Sequence, residues 1–340
     1  MNPNIVMNGR FLSRRVTGVE RCTSEVLNCI GDRLRVVRPA FNLRGASGHA
    51  WEQLILPWQI HNDETLWSPT NTGPLAVRNQ ALTIHDLSPL EHSEWFVKSF
   101  HTFYRLLLPF LIHRVKTILV PAKFIRRKIL ARFSIPEDRV ILAPNGVNLL
   151  MFHPVDPAPA KNYYSLPDKY ILFVGSLQPR KNLNTLIRAW QLIQSDFSDV
   201  TLMIAGSTEP YFQPISWPDH TEQTQFLGYV PDYLLPPLYA GALMFVQPSY
   251  DEGFGLTVLE AMACGTPVVA SSAGALPETI DDAGILIDPS DCQGLSDALA
   301  QCLSDRGLRE SLRQRGLERA NHFTWQNTAE IIWAALAGGK

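Results

Sequence analysis

Two short stretches place charged side chains beside turns that admit glycine. The first, Tyr250-Asp251-Glu252-Gly253-Phe254-Gly255-Leu256, leads into an apolar stretch, Leu256–Ala263, that carries Glu260. Glycines at 253 and 255 let the backbone come close to a ligand, and the free N–H groups of a helix start favour an anion there. Carboxylates in the loop and one turn into the helix are suited to accept hydrogen bonds from sugar hydroxyls on either side of a bound diphosphate. An isolated pair of glutamates is more simply a cap and a solvated helix residue; the flanking Gly-x-Gly and the apolar helix favour a site. The second stretch, Val174-Gly175-Ser176-Leu177-Gln178-Pro179-Arg180-Lys181-Asn182, closes a strand and opens a helix. A leaving nucleoside diphosphate gains charge in its transition state, and fixed cations such as Arg180 and Lys181 lower that barrier. A solvated basic cap is an equally simple reading of an Arg-Lys pair taken alone. No D-x-D triplet occurs, so the two cations are expected to replace a metal, and neither metal nor cofactor is expected.

In the first half, Thr83-Ile84-His85-Asp86-Leu87 sets a histidine and an aspartate at the end of a buried strand. A lone strand-end histidine is more often structural than functional. Asn8-Gly9-Arg10-Phe11-Leu12 and Thr17-Gly18-Val19-Glu20-Arg21 bracket a loop before a helix. They do not form the G-x-G-x-x-G fingerprint, which argues against a nicotinamide or flavin site.

The elements that must carry these residues alternate. Strand-like runs at Ile5–Met7, Ala81–Ile84, Thr117–Val120, Ile171–Val174, Val200–Ala205, Leu243–Val246 and Val268–Ala270 are separated by amphipathic stretches such as Val19–Ile30, Ala122–Phe133 and Leu183–Phe197. That alternation predicts parallel α/β sheets covered on both faces. The proline-rich stretch Phe152–Asp168 fits neither a sheet interior nor a helix interior, and the domain boundary is expected there. The reading is a first domain over 1–155, a second over 165–322, and a final segment, 323–340, whose helix Trp325–Ala337 crosses back to the first.

With 340 residues, 46% hydrophobic and 18% charged, the chain has enough apolar material for two cores. A net charge of −2 gives no pull toward nucleic acid. Five cysteines without a C-x-x-C pair read as reduced thiols. The start shows no apolar signal core, and no run approaches the ~20 apolar residues of a membrane span; the longest, Leu106 to Ile112, contains Pro109. A cytoplasmic protein is expected.

Taken in order, NGRFL, TGVER, IHDLSPLEHSEWF, PNGV at 144–147, VGSLQPRKNL, the long segment from FLGYV through YDEGFGLTVLEAMACGTPVV to GALPE, and a terminal FTW helix resemble the family 4 group of retaining GT-B glycosyltransferases. The resemblance implies two Rossmann-like domains with a cleft between them and transfer of a hexose, with GDP-mannose the favoured donor. The acceptor is then a glycan or a lipid-linked molecule. The spacing from Glu252 to Glu260 resembles the family's E-x7-E signature. By that resemblance Glu252 contacts donor-sugar hydroxyls, Glu260 holds the ribose, and Phe254, Gly255 and Leu256 offer backbone donors near the sugar and phosphates. Arg180 and Lys181 resemble the diphosphate-binding pair, and His85 the histidine that touches the donor sugar near its anomeric carbon. Gly18 is similar to the turn near donor phosphate and acceptor, and Tyr229 and Val230 to the edge that holds the base. Two positions depart: Ser176 stands where many members carry arginine, and Val120-Pro121-Ala122-Lys123-Phe124 where many carry V-S-x-F-S. An epimerase acting on nucleotide sugars or a phosphorylase on the same scaffold is the competing enzyme class, and a non-catalytic sugar-nucleotide binder the competing non-enzyme.

Charge is unevenly spread. Trp95 to Pro136 holds no acid and nine cations, Lys98, Arg105, Arg114, Lys116, Lys123, Arg126, Arg127, Lys128 and Arg132, interleaved with aromatics. Such a surface suits an anionic membrane or a lipid-phosphate acceptor. Peripheral contact at the inner membrane face is the expectation it raises, against the simpler reading of a solvated helix face over a core.

Overall fold

A computed structural model describes residues 4–13, 18–43, 45–218 and 223–338, which leaves Thr17 and the loop before it outside. The chain divides into two compact units. Residues 1–93, 98–146 and 324–340 form the first, and residues 94–97 and 147–323 the second. The division after Gly146 corrects the boundary read from the prolines: residues 147–155 belong to the second unit. The proline-rich stretch also contains a helix, because Pro159 lies in its first turn, where a missing N–H costs nothing.

The first unit runs β1 (Ile5–Asn8), α1 (Gly18–Ile30), β2 (Arg35–Val37), α2 (Gly45–Leu54), β3 (Thr65–Ser68), β4 (Gln80–Thr83), α3 (Ser88–Glu91), α4 (Lys98–Arg114), β5 (Thr117–Val120), α5 (Lys123–Phe133) and β6 (Val140–Leu142). The second runs α6 (Ala158–Tyr164), β7 (Lys169–Val174), α7 (Leu183–Ile193), β8 (Val200–Ala205), β9 (Thr224–Gly228), α8 (Leu235–Ala240), β10 (Met244–Gln247), α9 (Leu256–Ala263), β11 (Val268–Ser271), α10 (Leu276–Ile280), β12 (Gly284–Ile287), α11 (Cys292–Ser304) and α12 (Arg306–Asn321). The last helix, α13 (Trp325–Ala337), belongs to the first unit and packs on α1.

Each unit is one six-stranded sheet, ordered β2-β1-β3-β4-β5-β6 and β12-β11-β10-β7-β8-β9, with every pair parallel. Central strands such as Ile171-Leu172-Phe173 are wholly buried, as strands covered by helices on both faces must be. In α7, Leu183, Leu186, Ile187 and Trp190 recur at helical spacing and fill the core of the second unit, and Trp190 donates its indole N–H to the Gln223 carbonyl at 3.1 Å. Helix starts are capped where the sequence offers a short polar side chain: Asp291 accepts from Gly294 N, Asp305 from Leu308 N and Thr324 from Asn327 N.

In parallel sheets a ligand binds beyond the carboxyl ends of the strands, where strand order reverses. The reversal lies between β1 and β3 in the first unit and between β7 and β10 in the second. The loops after β7 and β10 carry Arg180, Lys181 and Glu252.

Trp95, Phe96 and Tyr104 are buried, so these aromatics of the basic stretch are core. Arg126 pairs with Glu137 at 3.2 Å, and Lys128 pairs with Glu91. The nine cations therefore do not form one solvent face. Helix α4 continues through Pro109.

Beyond β1 the first unit buries an ion pair. Arg10 Nε lies 3.1 Å from Glu52 Oε1, which also accepts from Asn8 Nδ2 at 2.6 Å, while Arg10 Nη2 donates to Thr72 Oγ1 at 2.7 Å. Arg10 is 1% and Glu52 0% exposed. Removing one partner of such a pair leaves an uncompensated buried charge. Glu52→Ala is expected to cost the first unit about 3–5 kcal/mol in urea denaturation; a loss under about 1 kcal/mol would show that Arg10 finds another partner.

Candidate active site

The site is built where β7 and β10 end. After β7 the chain makes a 3-10 turn, Pro179–Lys181, and enters α7 through Asn182, a left-handed residue with φ 55°. Asn182 is held in place: its Nδ2 donates to the carbonyls of Pro248 at 3.0 Å and Pro289 at 2.8 Å. The turn thus presents Arg180 and Lys181 to the loop after β10. Both are mostly buried, with side chains 13% and 9% exposed, which excludes a solvated basic cap.

Both cations end on one carboxylate. Lys181 Nζ donates to Glu252 Oε1 at 2.6 Å, and Arg180 Nη1 donates to Glu252 Oε2 at 3.1 Å and to the Asp251 carbonyl at 3.0 Å. Gln247 Nε2 and Ser249 Oγ also donate to Oε1, each at 2.7 Å. Thr257 Oγ1 donates to Gln247 Oε1 at 3.2 Å, which orients the amide. Burial alone pushes the Glu252 carboxyl up; the charges of Lys181 and Arg180, with hydrogen bonds from Lys181 and Ser249, outweigh it and hold the group down at about 2.

The backbone around this cluster depends on two glycines. Gly255 opens α9 at φ 99°, and a Cβ there would meet Leu276 Cδ2 at 2.8 Å. Gly274, at φ 66°, lies against the loop so closely that a Cβ would sit 2.4 Å from Glu252 N and 2.6 Å from Glu252 O. The next residue, Ala275, donates its N–H to the Glu252 carbonyl at 2.8 Å. Phe254 is buried, and its carbonyl accepts from Thr279 Oγ1 at 2.6 Å. Leu256 begins α9; the N–H groups of Val258 and Leu259 donate to the Gly255 carbonyl at 3.1 and 3.2 Å, and the helix start is an anion-favouring end.

Glu260 is buried about one turn into α9, and Tyr239 Oη donates to its Oε2 at 3.1 Å. Val230 is buried, whereas Tyr229 is 51% exposed and its carbonyl accepts from Tyr164 Oη at 3.4 Å. The structure therefore joins Arg180, Lys181 and Glu252 in one network and adds Gln247, Ser249, Asn182 and Gly274. Sequence reading passed over these four. Gln247 and Ser249 flank Pro248 at a strand end, a polar exit from an apolar strand that was their one signal.

In the first unit His85 follows β4. Its backbone N–H donates to Asn71 Oδ1 at 2.6 Å, and its Nε2 lies 2.8 Å from the Pro69 carbonyl. A carbonyl only accepts, so Nε2 carries the proton. Burial lowers the ring's pKa and keeps it neutral, which leaves Nδ1 as an acceptor. Gly18 is the first residue of α1.

The network has a signature in acid. A carboxyl held below its unfolded value adds stability that is complete above the unfolded value near 4.5 and is lost as pH falls through about 2. Between those limits the second unit should lose on the order of 3 kcal/mol more than its Glu252→Gln variant, which has no carboxyl to protonate. Parallel acid-denaturation slopes for the two proteins would remove Glu252 from the account.

Known proteins share this arrangement of sequence and fold. Residues 158–319 match the family described as glycosyl transferases group 1, and residues 61–149 match glycosyltransferase family 4. Over 275 residues the chain is 34% identical to the O-antigen chain mannosyltransferase B of Escherichia coli, covering 78% of this chain and 72% of that one. It is 29% identical over 260 residues to the serotype-specific mannosyltransferase WbdA of Escherichia coli; the match covers 73% of this chain but only 32% of that longer protein. Among solved structures, HepE of Anabaena, in complex with UDP and glucose, superposes with a TM-score of 0.78 at 17% identity, covering 98% of this chain and 99% of that one. With two parallel six-stranded sheets and this identity along most of its length, the chain belongs to the family 4 glycosyltransferases of the GT-B fold.

Proposed function

We propose that the chain moves a mannosyl group from GDP-mannose to a glycan or lipid-linked acceptor in polysaccharide assembly, with the anomeric configuration retained. The carrying observation is the buried Arg180–Lys181–Glu252 cluster where β7 and β10 end. The mannosyl assignment draws support from the two Escherichia coli relatives, both named mannosyltransferases.

In this reading the donor's diphosphate lies against Arg180, Lys181 and the start of α9. The bond from the anomeric carbon to the diphosphate oxygen breaks while the acceptor hydroxyl forms its own bond on the same face. The departing phosphate oxygen takes the acceptor's proton. The two cations and the α9 N–H groups stabilise the charge that grows on the leaving group, the work a divalent metal does elsewhere. Glu252 accepts from the donor sugar and Glu260 from the ribose, with Tyr229 and Val230 at the base and Gly18, at the start of α1, near donor phosphate and acceptor. His85, neutral with its Nε2 proton engaged, serves the sugar as an acceptor through Nδ1.

Charge compensation by side chains makes the reaction independent of added divalent metal. Lys181→Ala and Arg180→Ala should each lower kcat about 10²–10³-fold, and turnover should persist in excess chelator. Proton NMR of the product should show the donor's configuration; an inverted product removes the retaining mechanism, and turnover restored only by metal removes the role given to the cations.

We also place peripheral membrane contact on α4. Leu106 and Phe110, 62% and 66% exposed, share a helix face with His113, and Arg105 and Arg114 flank them. Phe110, His113 and Arg114 line a groove with Leu75, Ala76 and Arg78. An apolar stripe edged by cations suits the headgroup region of an anionic bilayer. Among the described residues no helix is long and apolar enough to cross a membrane. Leu106→Ser with Phe110→Ser should cut sedimentation with anionic liposomes severalfold at low salt; equal sedimentation of variant and wild type refutes the assignment.

A further inference from the structure

The cations assigned to the diphosphate already share an acceptor. The single carboxylate of Glu252 pairs with both of them and offsets one of their two charges. A diphosphate must therefore take Lys181 and Arg180 from Glu252, and the two oxygens of that carboxylate lose unequally. Oε1 accepts three donors, so when Lys181 turns away Gln247 and Ser249 still hold it. Oε2 accepts from Arg180, and once Arg180 turns to phosphate it needs a new donor in a buried place. A buried acceptor without a donor is costly. A nucleotide sugar brings sugar hydroxyls that can fill the position; a free nucleoside diphosphate has only its ribose hydroxyls, which are assigned to Glu260.

We propose that Glu252 is an internal stand-in for the donor's diphosphate, and that exchanging it makes the site select nucleotide sugar over the nucleoside diphosphate product. Gln247 and Ser249 are the positioning residues that keep Oε1 in place during the exchange. Charge is conserved in the exchange: the cations pass from carboxylate to diphosphate, and the carboxylate passes from cations to sugar hydroxyls. The inference rests on the reading that Arg180 and Lys181 face the diphosphate. It adds to that reading a penalty on free product, which would otherwise bind two bare cations and stay.

The test is calorimetric binding of GDP, UDP and inorganic pyrophosphate to wild type, Glu252→Gln, Glu252→Asp and Lys181→Ala, each checked for folding by circular dichroism. With the competing charge gone, Glu252→Gln should bind pyrophosphate and the diphosphate it prefers about tenfold more tightly, or about 1.4 kcal/mol, while GDP-mannose turnover falls. Glu252→Asp, which keeps the charge, should show no such gain. Ser249→Ala, which weakens the exchanged state, should raise the donor KM severalfold and leave kcat unchanged; it stands in for Glu252→Gln if that variant does not fold. Equal or weaker diphosphate binding by Glu252→Gln, with Lys181→Ala weakened, overturns the exchange and leaves the site reading intact. Diphosphate binding unaffected by Lys181→Ala overturns both. A Ser249→Ala change confined to kcat overturns the positioning role.

Discussion

One buried carboxylate organises the second unit. Glu252 draws an ammonium and a guanidinium out of water, and a buried charge is stable only where such partners meet it. Their meeting fixes the loop after β7 against the loop after β10: Tyr250 N donates to the Arg180 carbonyl at 2.9 Å, and Arg180 returns a bond to the Asp251 carbonyl. The loop after β11 closes the third side through Gly274 and Ala275. Three loops from neighbouring strands are thus stitched around one side chain, and the start of α9 takes its direction from them. Preorganisation here is the ordinary cost of burying charge, met with fixed donors.

The first unit answers the same problem differently at the carboxyl end of its own sheet. Arg10 and Glu52 neutralise each other below the surface, and Thr72 ties that pair to the segment Pro69–Thr72. From this segment Asn71, left-handed at φ 62°, holds the backbone of His85, and Pro69 holds its ring. The buried charge pair stiffens the support on which a neutral, single-tautomer histidine rests.

Much of this was legible in residue order. The runs Thr117–Val120, Val200–Ala205 and Leu256–Ala263 matched the observed elements end to end, because buried parallel strands and short apolar helices announce themselves by composition. The strands at 35–37, 140–142, 224–228 and 284–287 are the sheet edges; the first two are only three residues long, and polar residues break the apolar signal at 35–37 and 224–228. Arg180, Lys181 and Glu252 were visible as charged residues at turns, but their pairing was not, since 71 residues separate Lys181 from Glu252. Periodicity carries no information about which strand ends become neighbours; sheet order supplies it. In the basic stretch, likewise, composition shows the charges of Arg126 and Lys128 but not their partners, Glu137 and Glu91, which the fold supplies.

Both units are assembled from non-contiguous chain. Residues 94–97 join the second unit, where Phe96 bridges Phe212, and residues 324–340 complete the first. On a ribosome these arrive in an awkward order. The apolar stripe of α1, with Cys22, Val26 and Ile30, emerges early, yet the helix that packs on α1, Trp325–Ala337, emerges only after the whole second unit. The second unit needs only its short early loan and can close while translation continues. The apolar face of α1 that α13 covers therefore waits for its cover until the whole of the second unit has been synthesised.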